Sequence, residues 1–510
     1  MSKIVSHFTK FLYPFHFNDR EIDPQNAHFI NKKGDKEPLF EPFSVPCESL
    51  RLGLPELLSM NGGDTKIADC YRLRKDNGKC REFFGLPAHS DNTVKFTSRQ
   101  NKDVSYDVKF EEIKLYLFES NVGILEFEIS YETGNIEDFI NLNYFICEAK
   151  SQNNVFEYKK VRSDTNEVLF SSAYSVKDLI VSIVNSTSTQ KELDASFFNF
   201  YQEKPITYSH ILLDSEPENM NDLLFHVAKN YKSSYKYSSS CSTFEKRHPF
   251  DNVYWVASLN GAANISFLTD DETTNSFFTD SLEPKLKSTY YFLFLTSVHQ
   301  RYATNKITDN IGELDCLGND YIKMNEQLKL ARKYEAQAIN LKFRAFFSFP
   351  SYVEHINEYH DLIGTAFNIN GSYESLVQNL KTLQEICGSY VERIKERDSK
   401  ISKRKAAKAE IFISVFGTLV GEFSLLSTSW DIIEKVLGRS VSFFSPQMLI
   451  VVATLMVPLI TIFFSVKKQV IEIKRISKEL QIEREENLVE DDKQRIKKAK
   501  KANKSKKGTD

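Results

Sequence analysis

The chain is poor in the residues that mark many chemistries. Only seven of its 510 residues are cysteine, at positions 47, 70, 80, 147, 241, 316 and 387, and no two are spaced as CxxC. An odd, scattered set excludes a disulfide framework and a zinc signature, and a reducing compartment is expected. A global excess of positive charge is missing too. Lys and Arg number 66 against 69 Asp and Glu, a formal net charge of −3, so nothing in the overall balance points to nucleic acid. The first residues, MSKIVSHFTKFLYPFHF, hold no apolar run ending in small residues, so no signal peptide is expected. No P-loop, no GxGxxG opening a helix, no GxSxG, no HExxH and no HxE…CxxC occurs. Asn61-Gly62-Gly63-Asp64 is a turn and not a phosphate loop, because no Lys-Ser/Thr follows it. With no catalytic constellation, a non-enzymatic role is expected, with no cofactor.

What is present is ordinary globular composition, 41% apolar and 26% charged, over a length suited to about three domains. The charge is unevenly placed. Residues 391–408 carry eight Lys/Arg against three Asp/Glu, and residues 467–510 carry fifteen against nine, which leaves the first 390 residues at a net of −12.

Residues 1–280 alternate strand and helix signals, an α/β body with a mixed sheet. Glu112–Phe118 and Gly123–Tyr131 form a hairpin around Glu119-Ser120-Asn121-Val122. A helix follows over 135–149. Tyr208–Leu213 is a strand before a helix over 220–231, and Val253–Leu259 pairs with Asn264–Leu268 around Asn260-Gly261. Two basic-aromatic clusters stand out in this acidic body: Tyr158, Lys159, Lys160 and Arg162, and then Tyr231, Lys232, Tyr235, Lys236 and Tyr237. Cations beside aromatic faces suit a phosphate and a stacked base, and a solvated strand edge and helix end give the same pattern. The residues weighed as ligand contacts are Tyr158, Lys159, Lys160, Arg162, Lys232, Tyr235 and Lys236.

Residues 281–408 read as a helical stalk. Ser281-Leu282-Glu283-Pro284 is a helix start, and a second helix covers 320–349. Glu354, Glu358 and Asp361, beside His355 and His360, share a helix face. A divalent-cation site is conceivable there, but the spacing is that of a solvated acidic face. Ser372 caps a helix expected to run from 372 to 430. Its seam of Tyr373, Leu376, Leu380, Leu383, Cys387, Tyr390, Ile394 and Ile401 suits either a symmetric bundle or packing on this chain's own helices.

Two apolar runs follow, Ile411–Trp430 and Gln447–Val466, each 20 residues. That length spans ~30 Å of hydrocarbon. Basic residues flank the outer ends of the pair (Lys403, Arg404, Lys405 and Lys408; Lys467, Lys468, Lys474 and Arg475). They predict a transmembrane hairpin over 409–466, in a multi-pass inner-membrane protein with both termini cytoplasmic and a basic tail at 467–510. The stripe of Ser414, Thr418, Gly421, Glu422, Ser424 and Thr428 is expected to line a pore or pack helices.

This order of an α/β body, helical stalk, two apolar runs and a basic end resembles the CorA family of divalent-cation channels. The resemblance covers roughly 280–475 well and 1–280 loosely. It implies a homopentamer whose first span lines a central pore. The family's Gly-Met-Asn signature is replaced here by Ser427-Thr428-Ser429-Trp430-Asp431-Ile432. The departures are similar to the CorA-like membrane proteins associated with type III CRISPR defence. That resemblance implies a ligand-gated effector that senses an adenylate-based second messenger, such as adenylated S-adenosylmethionine, and alters membrane permeability. The implied partners are a second copy of the chain, the lipid bilayer and a small anionic nucleotide, and not nucleic acid. Two alternatives stand beside it: a magnesium transporter of the same family with a degenerate filter, and a non-conducting membrane scaffold.

Overall fold

The structure is a computed structural model of the chain. It describes residues 2–17, 22–30, 34–75, 78–89, 92–98, 105–132, 134–148, 154–161, 168–188, 204–238, 244–314 and 321–437, with single helical positions between 453 and 471. Two compact units divide at Gly388/Ser389.

The first unit is built on one large mixed sheet. Its strands are β1 (Ile4–His16), β4 (Phe40–Pro42), β5 (Ala68–Leu73), β6 (Val94–Ser98), β7 (Ser105–Phe118), β8 (Val122–Tyr131), β9 (Asn154–Val161), β10 (Val168–Ser175), β11 (Ile206–Leu213), β12 (Glu245–Phe250), β13 (Val253–Ser258) and β14 (Gly261–Phe267). Two short strands, β2 (His28–Ile30) and β3 (Lys36–Pro38), pair separately. The order across the sheet is β10-β9-β6-β7-β8-β1-β11-β14-β13-β12. The long β7 also pairs with β5 beside β6, and β5 in turn holds β4. Pairing is antiparallel throughout these ladders except β11 with β14, which run parallel. The crossover between those two contains α4 (Met220–Lys229).

Alternation along each strand gives the sheet two faces, and both are buried. On β1, Phe11, Tyr13 and Phe15 enter one core and Phe8 and Leu12 the other. The first core is covered by α2 (Ile136–Cys147), α3 (Val176–Ser186) and α4. Local caps set these helices. Asn135 and Asn219 accept from backbone N–H groups in the first turn, and Ser175 with Asp178 forms a capping box. α1 (Gly78–Phe83) is a short helix whose Arg81 is buried and donates to the carbonyls of Pro87 and Phe110.

The opposite face is covered by a helical run from Glu272 to Gly312 and by later helices. The run begins with α5 (Glu272–Ser276), capped by Asp271, nine residues before the expected start at Ser281. It continues through a π-helical turn (Phe277–Leu282), α6 (Glu283–Lys285), a second π-helical turn (Leu286–Tyr290) and α7 (Tyr291–Gly312). Pro284 therefore does not open the helix. It sits inside, where its missing N–H falls between the two widened turns. α8 (Tyr321–Ala345), α9 (Glu354–Ala366) and the first part of α10 (Ile369–Leu437) complete this layer. The seam residues Tyr373, Leu376 and Leu380 belong to the same core as Ala338 and Leu341 of α8, and Tyr373 Oη donates to the Ala338 carbonyl at 3.0 Å. This stretch of the seam is spent on the chain's own helix.

The expected transmembrane hairpin requires correction. Among the described residues no helix is long and apolar enough to cross a membrane. The run 411–430 lies inside α10, which starts at Ile369 and continues to Leu437, so Asp431, Glu434 and Lys435 extend the helix where a loop was expected. The described side chains of that run mix Phe412, Ile413, Phe416 and Val420 with Ser414, Gly417, Gly421 and Ser424, and so form no unbroken apolar surface. The run 447–466 lies largely outside the described residues, as does the basic tail. The fold class with two C-terminal transmembrane helices, the multi-pass inner-membrane location and the membrane-channel reading all fall with the hairpin.

Candidate functional site

A chain of alternating charges runs across the helix-covered face of the sheet. Register places it. Glu112 faces Glu128 and Lys114 faces Glu126 across the β7–β8 ladder, while Lys10 faces Glu128 across β1–β8. A β-bulge between Phe110 and Glu112 shifts the phase of β7, so Glu112, Lys114 and Tyr116 turn to the α7 side. Lys10 Nζ lies 2.8 Å from Glu126 Oε1 and 2.5 Å from Glu128 Oε2, and all three side chains are at most 5% exposed. Glu128 Oε1 meets Lys287 Nζ at 2.8 Å, and Lys287 reaches Glu283 at 3.0 Å. On the other side Lys114 pairs with Glu112, which also accepts from Lys75 at 2.6 Å. Tyr116 and Tyr291 both donate to Glu126 Oε2.

The electrostatics follow from burial against pairing. Burial alone would pull the Lys10 pKa down and push Glu126 and Glu128 up. The mutual charges outweigh it: Lys10 is held above the ordinary lysine value, and both glutamates below the carboxylate range. Burial likewise opposes ionisation of Glu112, but Lys114 and Lys75 bring it down to about 2. Burial and the neighbouring Glu126 raise Tyr116 and Tyr291, which stay neutral donors. These carboxylates are therefore fixed anions with no proton to give.

The network borders a cavity of about 290 Å³. Lys10, Lys75, Lys114 and Lys287 line it together with Glu111, Glu112 and Glu128, and Phe43, Tyr116 and Tyr291 supply aromatic walls. Lys10 Nζ stands 4.7 Å from the Tyr291 ring centre and Lys114 Nζ 5.5 Å from that of Phe43. The segment 43–46 closes one side. Two residues beyond it, Glu48 is tied to the second π-turn by Thr289 Oγ1, which accepts from the Glu48 N–H at 3.0 Å and donates to the Glu48 carbonyl at 2.8 Å.

The two surface clusters singled out in the sequence have separate surroundings. Tyr158 is buried against Phe170, Lys160 is paired with Glu82 at 2.7 Å, and Lys159 is exposed on β9. Arg162 lies outside the described residues. Lys232 sits 5.8 Å from the Phe145 ring centre, Lys236 is 4.0 Å from Asp222, and Tyr235 packs on Tyr231. β9 and β11 are five ladders apart, so the first cluster and the chain leading into the second belong to opposite halves of the sheet. Ser414, Gly421 and Ser424 share one stripe of α10; the side chains of Thr418, Glu422 and Thr428 lie outside the described residues. His360 is buried with Nε2 3.1 Å from the Phe347 carbonyl, and no cluster that could hold a metal ion occurs among the described residues.

No family model matches the chain, and no curated protein matches it. Among solved structures it is similar to the full-length CmaX protein, at 12% identity over 52% of this chain and 88% of that one, with a TM-score of 0.18. A score so low carries no argument about fold or function.

Proposed function

We propose that residues 1–388 form a sensing domain that takes a small adenylate-type ligand in the cavity between the sheet and the second π-turn. One observation supports the reading: four lysine ammoniums and three aromatic rings surround a single cavity in a domain whose net charge is otherwise strongly acidic. Ammoniums bind phosphate and carboxylate oxygens, and aromatic faces stack on a base. Every lysine in the wall already has a glutamate partner, so a ligand enters by exchanging pairs. A molecule that brings charges of both signs does so with the least loss. The cavity is at the small end of ligand sites, which run from ~300 Å³ upward, so it admits one charged moiety of a nucleotide and not a whole cyclic oligoadenylate.

The sequence resemblance adds the messenger class, adenylate-based signals such as adenylated S-adenosylmethionine in type III CRISPR defence. The reading is confined to sensing, and a change in membrane permeability is no part of it. Calorimetry of the full chain against adenosine monophosphate, cyclic oligoadenylates and adenylated S-adenosylmethionine tests it. At least one is expected to bind below about 100 µM, roughly −5.5 kcal/mol. Absence of binding by all three overturns the sensing reading.

A further inference from the structure

The cations of the buried network differ in what holds them. Lys10 and Lys114 stand on strands in fixed register with their partners. Lys287 stands on a π-helical turn, Leu286–Tyr290. A π-turn carries one residue more than the α-turn it replaces, and such turns are concentrated at functional sites. Loss of the surplus shifts every following side chain by about 100°, so a π-turn has a second, regular state close at hand.

Three contacts hold this turn as it is. Lys287 Nζ is shared between Glu128 and Glu283. The Leu286 carbonyl accepts from Tyr208 Oη at 2.8 Å. Thr289 is doubly bonded to Glu48, just beyond the cavity segment 43–46. Lys287 is also open to an entering group, its side chain 35% exposed against 1% for Lys10 and 13% for Lys114; Lys75 is more open still, at 49%, but its partner Glu112 stands on a strand and not on the π-turn.

We propose that Lys287 is the read-out residue of the cavity, an assignment that rests on the sensing reading above. An anionic group of the ligand takes its ammonium from Glu128 and Glu283. The turn Leu286–Tyr290 then tightens from π to α, which withdraws the Leu286 carbonyl from Tyr208 and Thr289 from Glu48. The freed segment 43–48 and the rotated start of α7 are the output of the sensor.

Hydrogen exchange of the full chain, with and without saturating adenylated S-adenosylmethionine, tests this, with binding followed in parallel by calorimetry. Amides 286–291 and those of residues 43–45, 47 and 48 are expected to change their exchange rates by about tenfold or more on binding. A chain lacking Ser288, in which the surplus residue is gone, is expected to show the bound pattern without ligand. If that variant does not fold, the wild-type exchange still decides. Binding with unchanged exchange at 286–291 overturns the read-out and leaves sensing intact. Absence of binding by this ligand, by adenosine monophosphate and by cyclic oligoadenylates overturns the sensing reading and the read-out together.

Discussion

Tyr116 and Tyr291, 175 residues apart in sequence, deliver their hydroxyls to the same oxygen, Glu126 Oε2, at 2.6 and 2.5 Å. With Lys10 on the other oxygen, they satisfy a carboxylate that has no access to solvent. Removing one donor leaves part of that charge unmet. Tyr291→Phe is expected to cost about 1–3 kcal/mol in urea unfolding, and Lys10→Met, which takes the buried cation from Glu126 and leaves Glu128 only Lys287, about 3–5 kcal/mol. Adding Glu126→Gln to Lys10→Met is expected to restore part of the loss. If the two losses simply add, the pairing described here is not what holds these groups.

Acid is expected to weaken the fold in two stages. Burial lowers His210 to about 4 and His299 to about 3, so the unfolded chain takes up protons near pH 6.5 that the folded chain refuses. Stability therefore falls as pH drops below about 6.5, where ν for the unfolded state exceeds that for the native state. Glu112 is depressed to about 2, and Glu126 and Glu128 lie below their ordinary value. Their contribution is complete above the unfolded carboxylate pKa and is lost from about pH 5 downward. Chemical denaturation at pH 8, 6, 5 and 4 is expected to give a falling series, with the decline between pH 6.5 and 5 smaller in His210→Gln. A flat profile from pH 8 to 4 contradicts the assignment.

Ligand contacts separate the cavity from the surface clusters. Phe43→Ala and Lys114→Ala are expected to weaken binding of adenylated S-adenosylmethionine by about tenfold, roughly 1.4 kcal/mol each. Lys159→Ala with Lys160→Ala, and Lys232→Ala with Lys236→Ala, are expected to leave it within a factor of two or so. The reverse pattern in calorimetry moves the site to the surface.

Gly123, at the start of β8, lies against the ring of Phe15, and a Cβ there would overlap that ring. Phe15 is fully buried and has no room to swing away. Gly123→Ala is expected to destabilise the domain by about 1–3 kcal/mol, seen as a lowered urea midpoint with unchanged slope. A midpoint equal to that of the parent chain rules out the close approach.

Much of the sheet is legible in the sequence where local signals agree. The turn Glu119–Val122 and the alternation on either side read as the β7–β8 hairpin, and Asn260-Gly261 reads as the β13–β14 turn. The site was less visible, though a signal exists. In β8, Glu126 and Glu128 are the only charged residues between Val122 and Ser130, and spacing by two puts them on one face. Extending the same hairpin register pairs them with Lys114 and Glu112. Lys10 and Lys287 could not be found this way, because they meet Glu128 through pairings 118 and 159 residues long in sequence. The helix start at Ser281 was misplaced for a comparable reason. Pro284 is a local stop-or-start signal, and the two π-turns that accommodate it are a product of packing on the sheet. Composition alone also overstated the membrane runs, since a stretch of mixed apolar, hydroxyl and glycine residues ends up as one part of a 69-residue helix.

The position of β1 has a consequence for how the protein is made. This strand is synthesised before every other described strand of the sheet, yet it lies in the middle, between β8 and β11. Its contacts on one side are 116 residues away, as Lys10 to Glu126, and on the other 200 residues away, as Thr9 to Ser209. At ~5–20 residues per second, the second partner is synthesised about 10–40 s after the first strand. For that interval a 13-residue strand, eight of whose successive residues end up inside, waits with both edges open. Until β11 emerges, the nascent chain therefore exposes an unpaired, largely apolar strand to pairing with other chains.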